Sequence, residues 1–89
     1  MRLNPDARKH YLKTWPEYFQ QVKKRKKKFE IRLNDRDFQR GDILILQEFR
    51  PDTQSYTGYP DITAVVTYIL QDVMFLQPGF VAMSINIFD

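Results

Sequence analysis

Glu30 stands between Lys28 and Arg32 in a segment, Phe29 to Leu33, where apolar and charged residues alternate. Alternation of this kind reads as a β-strand, with Phe29, Ile31 and Leu33 on one face and Lys28, Glu30 and Arg32 on the other. A carboxylate among cations on one strand face has two readings. It could form an exposed salt-bridge ladder worth less than about 1 kcal/mol. It could instead accept hydrogen bonds from a base edge while Arg32 orients it or holds a phosphate. The residues just upstream bear on the choice. Lys23, Lys24, Arg25, Lys26, Lys27 and Lys28 are six consecutive cations that run directly into the strand. A dense positive field beside a defined, partly apolar surface suits an anionic ligand, and nucleic acid is the commonest polymeric carrier of phosphate. A solvated basic turn is the plain alternative.

The charge distribution sharpens that expectation. All 14 Lys and Arg lie in residues 1–50, against seven acids, whereas residues 51–89 hold four acids and no base. Such asymmetry in one small chain implies one basic face and one weakly acidic face. Cysteine is absent and His10 is the only histidine, so no disulfide forms and a metal centre would rest almost wholly on carboxylates. No metal site and no cofactor are expected. The longest uncharged stretch, Val73 to Phe88, is broken by Pro78-Gly79 and falls short of the ~20 residues of a membrane helix. The first residues, Met1 to Asp6, lack the apolar core of a signal peptide. The expected protein is cytoplasmic and does not engage a membrane.

Positioning these residues requires a small domain, and 89 residues supply one core. Residues 1–9 read as a polar lead-in and residues 10–89 as a single domain. His10 to Lys13 forms a short strand. Thr14-Trp15-Pro16-Glu17 resembles a helix start, with Thr14 as N-cap, Pro16 in the first turn and Glu17 closing a capping box. The helix runs to about Lys24, with Trp15, Tyr18, Phe19 and Val22 facing the core. After Lys28–Leu33, Asn34 to Asp37 makes a turn whose side chains bond backbone, and Asp42 after Gly41 fixes the next turn in the same way. The segment from Ile43 to about Phe49 is apolar on both faces and belongs at the sheet centre. A loop from Pro51 to Pro60, a long strand from Ile62 to Leu70 and a last strand from Val81 to Phe88 follow, with a turn at Pro78-Gly79. One helix and about five strands define an α+β class, best buried as a curved sheet closing into a small β-barrel with the helix beside it.

The pattern His10-x-Leu12-Lys13-Thr14-Trp15, Tyr18-Phe19, Lys27-x-Phe29-Glu30-x-Arg32 and Asn34-Asp35-Arg36-x-Phe38-x-x-Gly41-Asp42 resembles an ASCH domain. It is most similar to a short bacterial and phage branch catalogued as a domain of unknown function. Glu48, Tyr56-Thr57-Gly58 and Ile69-Leu70 fit the same pattern, which spans about His10 to Ile87. The resemblance implies a PUA-like fold, a cleft between helix and barrel at the Lys-Glu-Arg signature, and RNA binding. It departs from the family at Arg25, where a glycine is usual, so the turn there is expected to change geometry.

The resulting expectation is a nucleic-acid-binding domain, with RNA as partner, contacted by Lys23, Lys24, Arg25, Lys26, Lys27, Lys28, Glu30, Arg32, Arg36 and Tyr56. Tyr56 and Tyr59, flanking Gly58, would stack on an unpaired base. His10 and Lys13 border the cleft or simply end a strand. Some ASCH members are small amidohydrolases acting on a modified nucleoside, and in that reading Lys27 and Glu30 would be catalytic. Those relatives pair the lysine with a hydroxyl-bearing strand residue, where this chain has Glu30, and with a distant glutamate, while residues 49–89 contain none. A protein-interaction module with a basic face is the third possibility. Nothing in the sequence calls for an oligomer, so a monomer is the default.

Overall fold

In a computed structural model that describes residues 4–71 and 74–88, the chain forms one short helix and a six-stranded sheet. Strand β1 (Lys9–Thr14) leads into helix α1 (Pro16–Lys23), followed by β2 (Phe29–Leu33), β3 (Ile43–Arg50), β4 (Ser55–Tyr56), β5 (Ile62–Leu70) and β6 (Phe80–Ile87). The strand order is β1-β3-β5-β6-β2, with the two-residue β4 pairing the end of β3. Only β1 and β3 are parallel, their register running from Lys9 opposite Ile43 to Thr14 opposite Glu48. The domain is therefore α+β and dominated by its sheet. The sixth strand, β4, lies inside the stretch from Pro51 to Pro60, expected as a loop or wide hairpin, and its antiparallel pairing with the end of β3 makes it a hairpin.

Hydrophobic periodicity accounts for the core. The inward positions of β3, β5 and β6 supply Leu44, Leu46, Ala64, Val66, Val81, Met83 and Ile85, and α1 covers them with Phe19 and Val22. A bulge between Val66 and Tyr68 resets the alternation in β5, so Val66 is buried and Ile69 also packs on the core. As expected, β3 sits centrally, with β1, β4 and β5 as neighbours. The two end strands, β1 and β2, share no backbone ladder among the described residues.

Three local expectations need correction. Thr14 does not cap the helix. It belongs to β1, its hydroxyl donates to the Leu12 carbonyl, and the N-cap position is Trp15, extended at φ −61° and ψ 146° with no side-chain cap. Pro16 at the first helical position and Glu17 in the first turn still favour a start there. Second, Trp15 and Tyr18 are not core residues: they are 50% and 46% exposed. An eight-residue helix offers one narrow stripe to a sheet, and Phe19 and Val22 fill it. Third, the lead-in is tied down at its end. Lys9 already pairs in β1, and Arg8 donates to the Asp37 carbonyl and to Asp42.

Arg25 sits in the turn that ends the helix. Arg25 takes the left-handed conformation, φ 61°, that a glycine would adopt with less strain. The helix ends with Lys24 as C-cap, the Arg25 amide bonding the Val22 carbonyl and the Lys26 amide bonding the Gln21 carbonyl. These are the two hydrogen bonds of a Schellman motif. The reversal turns the chain back so that Lys27 meets the start of β2.

Candidate functional site

Strand β2 is inverted relative to its hydrophobicity. Phe29, Ile31 and Leu33 are about half exposed, while Glu30 is 3% exposed. The expected alternation is present, but the charged face is the one turned inward. Pairing sets this orientation. Glu30 lies opposite Met83 and Arg32 opposite Val81, both buried on the inner side of β6. Because β2 ends the sheet, its inner face looks across towards β1 and the start of α1.

Glu30 is accordingly no surface ladder, and its partners differ from those of an exposed one. Its Oε1 accepts from Lys27 Nζ at 2.9 Å and its Oε2 from Arg32 Nε at 2.9 Å. Lys27 Nζ also donates to the Phe29 carbonyl at 2.6 Å and lies 4.9 Å from the Phe29 ring centre. Arg32 continues across the gap, donating to the Lys13 carbonyl at 3.0 Å and to Thr14 Oγ1 at 3.1 Å. Arg36 does the same further along, donating to the Tyr11 carbonyl at 2.9 Å. Two arginines thus reach alternate carbonyls on the outer edge of β1 and link the ends of the sheet.

This triple forms the base of a cavity of about 430 Å³, walled by Lys13, Thr14, Trp15, Tyr18, Phe29 and Ile31. The volume falls within the range of small-ligand sites. Trp15 and Tyr18 stack at 6.1 Å with their planes 23° apart. Two cations against one carboxylate leave the floor net positive, while Lys13 contributes its carbonyl and holds its ammonium over the Phe49 ring at 4.7 Å. Lys27 retains a further N–H donor beyond the two bonds described, and each Glu30 oxygen has a lone pair to spare. The arrangement offers fixed donors, a fixed acceptor and flat apolar walls in one hollow.

The expected site residues separate into two groups. Lys27, Glu30 and Arg32 line the cavity, joined by Lys13. Lys24, Lys26 and Lys28 are exposed and do not line it. Lys23 lies 4.1 Å over the Tyr59 ring, and with Arg25 it borders a different hollow beside Asp61, Thr63 and Phe88. Arg36 is occupied by the Tyr11 carbonyl, and Tyr56 packs edge-on against Phe49 at 5.1 Å; neither lines the cavity. Tyr59 leans edge-on against Phe19 at 5.9 Å. The aromatic residues that line the Glu30 cavity are Trp15, Tyr18 and Phe29; Tyr56 and Tyr59 do not line it. Pro16 held the clue: it puts Trp15 before the first helical residue, where helical periodicity no longer governs its direction.

His10 lies away from the cavity in a second acid–base group. Asp42 Oδ2 meets His10 Nε2 at 2.8 Å, Arg8 Nη2 at 3.1 Å and the Gln39 amide at 3.0 Å. Burial by itself pushes the Asp42 carboxyl up, but the hydrogen bonds from Gln39, His10 and Arg8 together hold it below its ordinary 3.8. The expected turn-fixing role of Asp42 is met through the Gln39 amide. A third buried acid, Glu48, accepts from Gln20 Nε2 at 2.8 Å and from Thr57 Oγ1 at 2.6 Å, tying β3 to α1 and to the loop after β4.

Residues 9–85 match the family model described as Domain of unknown function (DUF3850). The chain belongs to the DUF3850 family. No curated protein matches it. In this DUF3850 chain the matched span contains the three acids buried among the described residues together with every residue that lines the cavity. No group of His, Asp or Glu suited to holding a metal ion occurs among the described residues, and no described helix is long and apolar enough to cross a membrane.

Proposed function

We propose that this DUF3850 chain is a nucleic-acid-binding domain of ASCH type that takes an unpaired nucleotide, most naturally of RNA, into the Glu30 cavity. One observation carries the reading: a buried carboxylate is clamped between Lys27 and Arg32 at the floor of an aromatic-walled hollow. Structural salt bridges do not require a 430 Å³ hollow above them, nor half-exposed Trp15, Tyr18 and Phe29 around it. Base–aromatic stacking contributes about 1–3 kcal/mol per base. The polar floor supplies both donors and an acceptor for a base edge or a neighbouring phosphate. Lys24, Lys26 and Lys28 then draw in the flanking backbone by counterion release. The Arg32 and Arg36 links between β1 and β2 support a PUA-like pseudo-barrel, in which side chains complete what backbone pairing leaves open.

The test is binding of short single-stranded RNA, measured by fluorescence anisotropy over a series of salt concentrations. Affinity should fall linearly in log salt, and Glu30→Gln and Trp15→Ala should each weaken binding about tenfold or more at fixed salt. No binding at low salt, or full binding by both variants, would remove the reading. Release of acid from an acylated cytidine, abolished by Lys27→Ala, would replace it with the hydrolytic one.

A further inference from the structure

The outer face of β2, β6 and β5 carries no charged residue at all. Register places Leu33 beside Phe80, Ile31 beside Ala82 and then Leu70, and Phe29 beside Ser84 and then Tyr68. All of these point away from the core residues Val81, Met83 and Ile85. Phe29, Ile31, Leu33, Tyr68 and Leu70 are 48%, 51%, 52%, 61% and 37% exposed. Taking roughly 200 Å² for a fully exposed large side chain, these five present about 500 Å² of nearly continuous apolar surface. That is at the upper end for a monomer.

Met74 and Phe75, in the turn between Leu70 and Phe80, are 83% and 72% exposed and extend the apolar area from that end. The total then approaches the ~800 Å² per partner of a standard interface. Solvent is a poor cover for such a face, and nucleic acid is no better beyond its Phe29 margin, where Lys27 lies 4.9 Å from the ring, because the strand residues of the face carry no cation for a phosphate. An acidic partner would be drawn to the lysine run instead. A second copy of this chain fits: in a two-fold contact each surface meets itself, so an uncharged face avoids the like-charge repulsion that the basic half would meet. Flat sheet faces also pack on one another at about 10 Å with interdigitated side chains.

We infer that this chain forms a symmetric dimer through the outer face of β2, β6 and β5, packed sheet to sheet. Because Phe29 and Ile31 belong both to this face and to the cavity wall, the second copy would lie at the cavity margin, but the dimer itself is independent of any ligand.

Sedimentation equilibrium of the full chain, over about a hundredfold range of concentration, tests it. The expected result is a mass rising from 10.7 kDa towards twice that value. Ile31→Lys with Leu33→Lys, and separately Tyr68→Lys, should each raise the dissociation constant at least about tenfold, with far-ultraviolet circular dichroism unchanged. Tyr68→Lys lies on a different strand, so it keeps the test valid if the β2 variant fails to fold. A mass that stays at one chain throughout overturns the inference, even if another protein is found on this face. So does a dimer that both folded variants leave intact.

Discussion

Two buried clusters in this domain have the same composition and opposite settings. Each is one acid between two bases: Asp42 with Arg8 and His10, and Glu30 with Lys27 and Arg32. Around Asp42 the structure is closed. The Gln39 amide takes a further share of the same carboxylate oxygen, and the His10 ring meets Phe38 edge-on at 4.8 Å. The cluster pins the start of β1 to the turn before β3. Around Glu30 the structure is open. Its partners have donors left over and its walls are aromatic side chains with no covering element. The Glu30 carboxylate is no more exposed than that of Asp42, 4% against 7% by side chain, so the hollow beside Glu30, and neither residue type nor access to the acid, makes the difference.

The contrast can be broken most severely from the cationic side. Replacing Lys24, Lys26 and Lys28 by Gln should lower RNA affinity at moderate salt by about two orders of magnitude and flatten the log–log salt dependence by up to about two. The same change should leave thermal stability nearly unaltered. Next in size is stability at the closed cluster. Asp42→Ala leaves the buried His10 and the Gln39 amide without their partner and should cost about 2–3 kcal/mol in denaturant unfolding, with RNA affinity of the folded protein unchanged.

At the open cluster the pattern should reverse. Glu30→Gln is expected to cost about 1–2 kcal/mol, because the amide oxygen still accepts from one of the two bases, while affinity drops tenfold or more. Equal losses of both properties at both sites would erase the distinction.

Acid titration sharpens it further. The folded-state carboxyl of Asp42 is held below its ordinary 3.8. Its contribution is therefore fully present above that value and is lost as pH falls through the depressed folded value. Unfolding free energy should decline below about pH 4, and Asp42→Asn should flatten that limb. The smallest effect is expected at Arg25. Arg25→Gly relieves the left-handed conformation at the helix end and should stabilise the fold by about 0.5–1 kcal/mol, while reducing the salt dependence of binding by at most about one charge.

Much of the site was legible from residue types and spacing. Glu30 and Arg32 meet as the strand pattern suggested, but Lys28, placed on the same face by that pattern, is exposed, and Lys27 of the Lys-Glu-Arg signature bonds Glu30 in its stead. Asp42 fixes its turn. Trp15 and Tyr18 were misread because helical spacing was applied to a residue that precedes the helix and to a helix too short to bury a second stripe. Arg36 and Tyr56 carry the right chemistry but are spent locally, on a β1 carbonyl and on Phe49, and no linear spacing reveals such partners. Thr14 shows the same limit from the other direction. A hydroxyl before Trp15-Pro16-Glu17 suits a cap, yet strand pairing claimed it first.

The sequence by itself determined the class of fold, the placement of the strands, the central position of β3 and the cationic approach to β2, since all follow from local periodicity and charge. It did not determine which face of β2 turns inward. Alternation defines two faces and is silent on which one meets the protein. Pairing with β6 at the end of the sheet made that decision, turning Glu30 and Arg32 towards β1 and leaving Phe29, Ile31 and Leu33 outside. A charged pocket and an uncharged outer surface thus arise from five residues, because a contact between distant strands fixed the orientation of a pattern that reads equally well both ways.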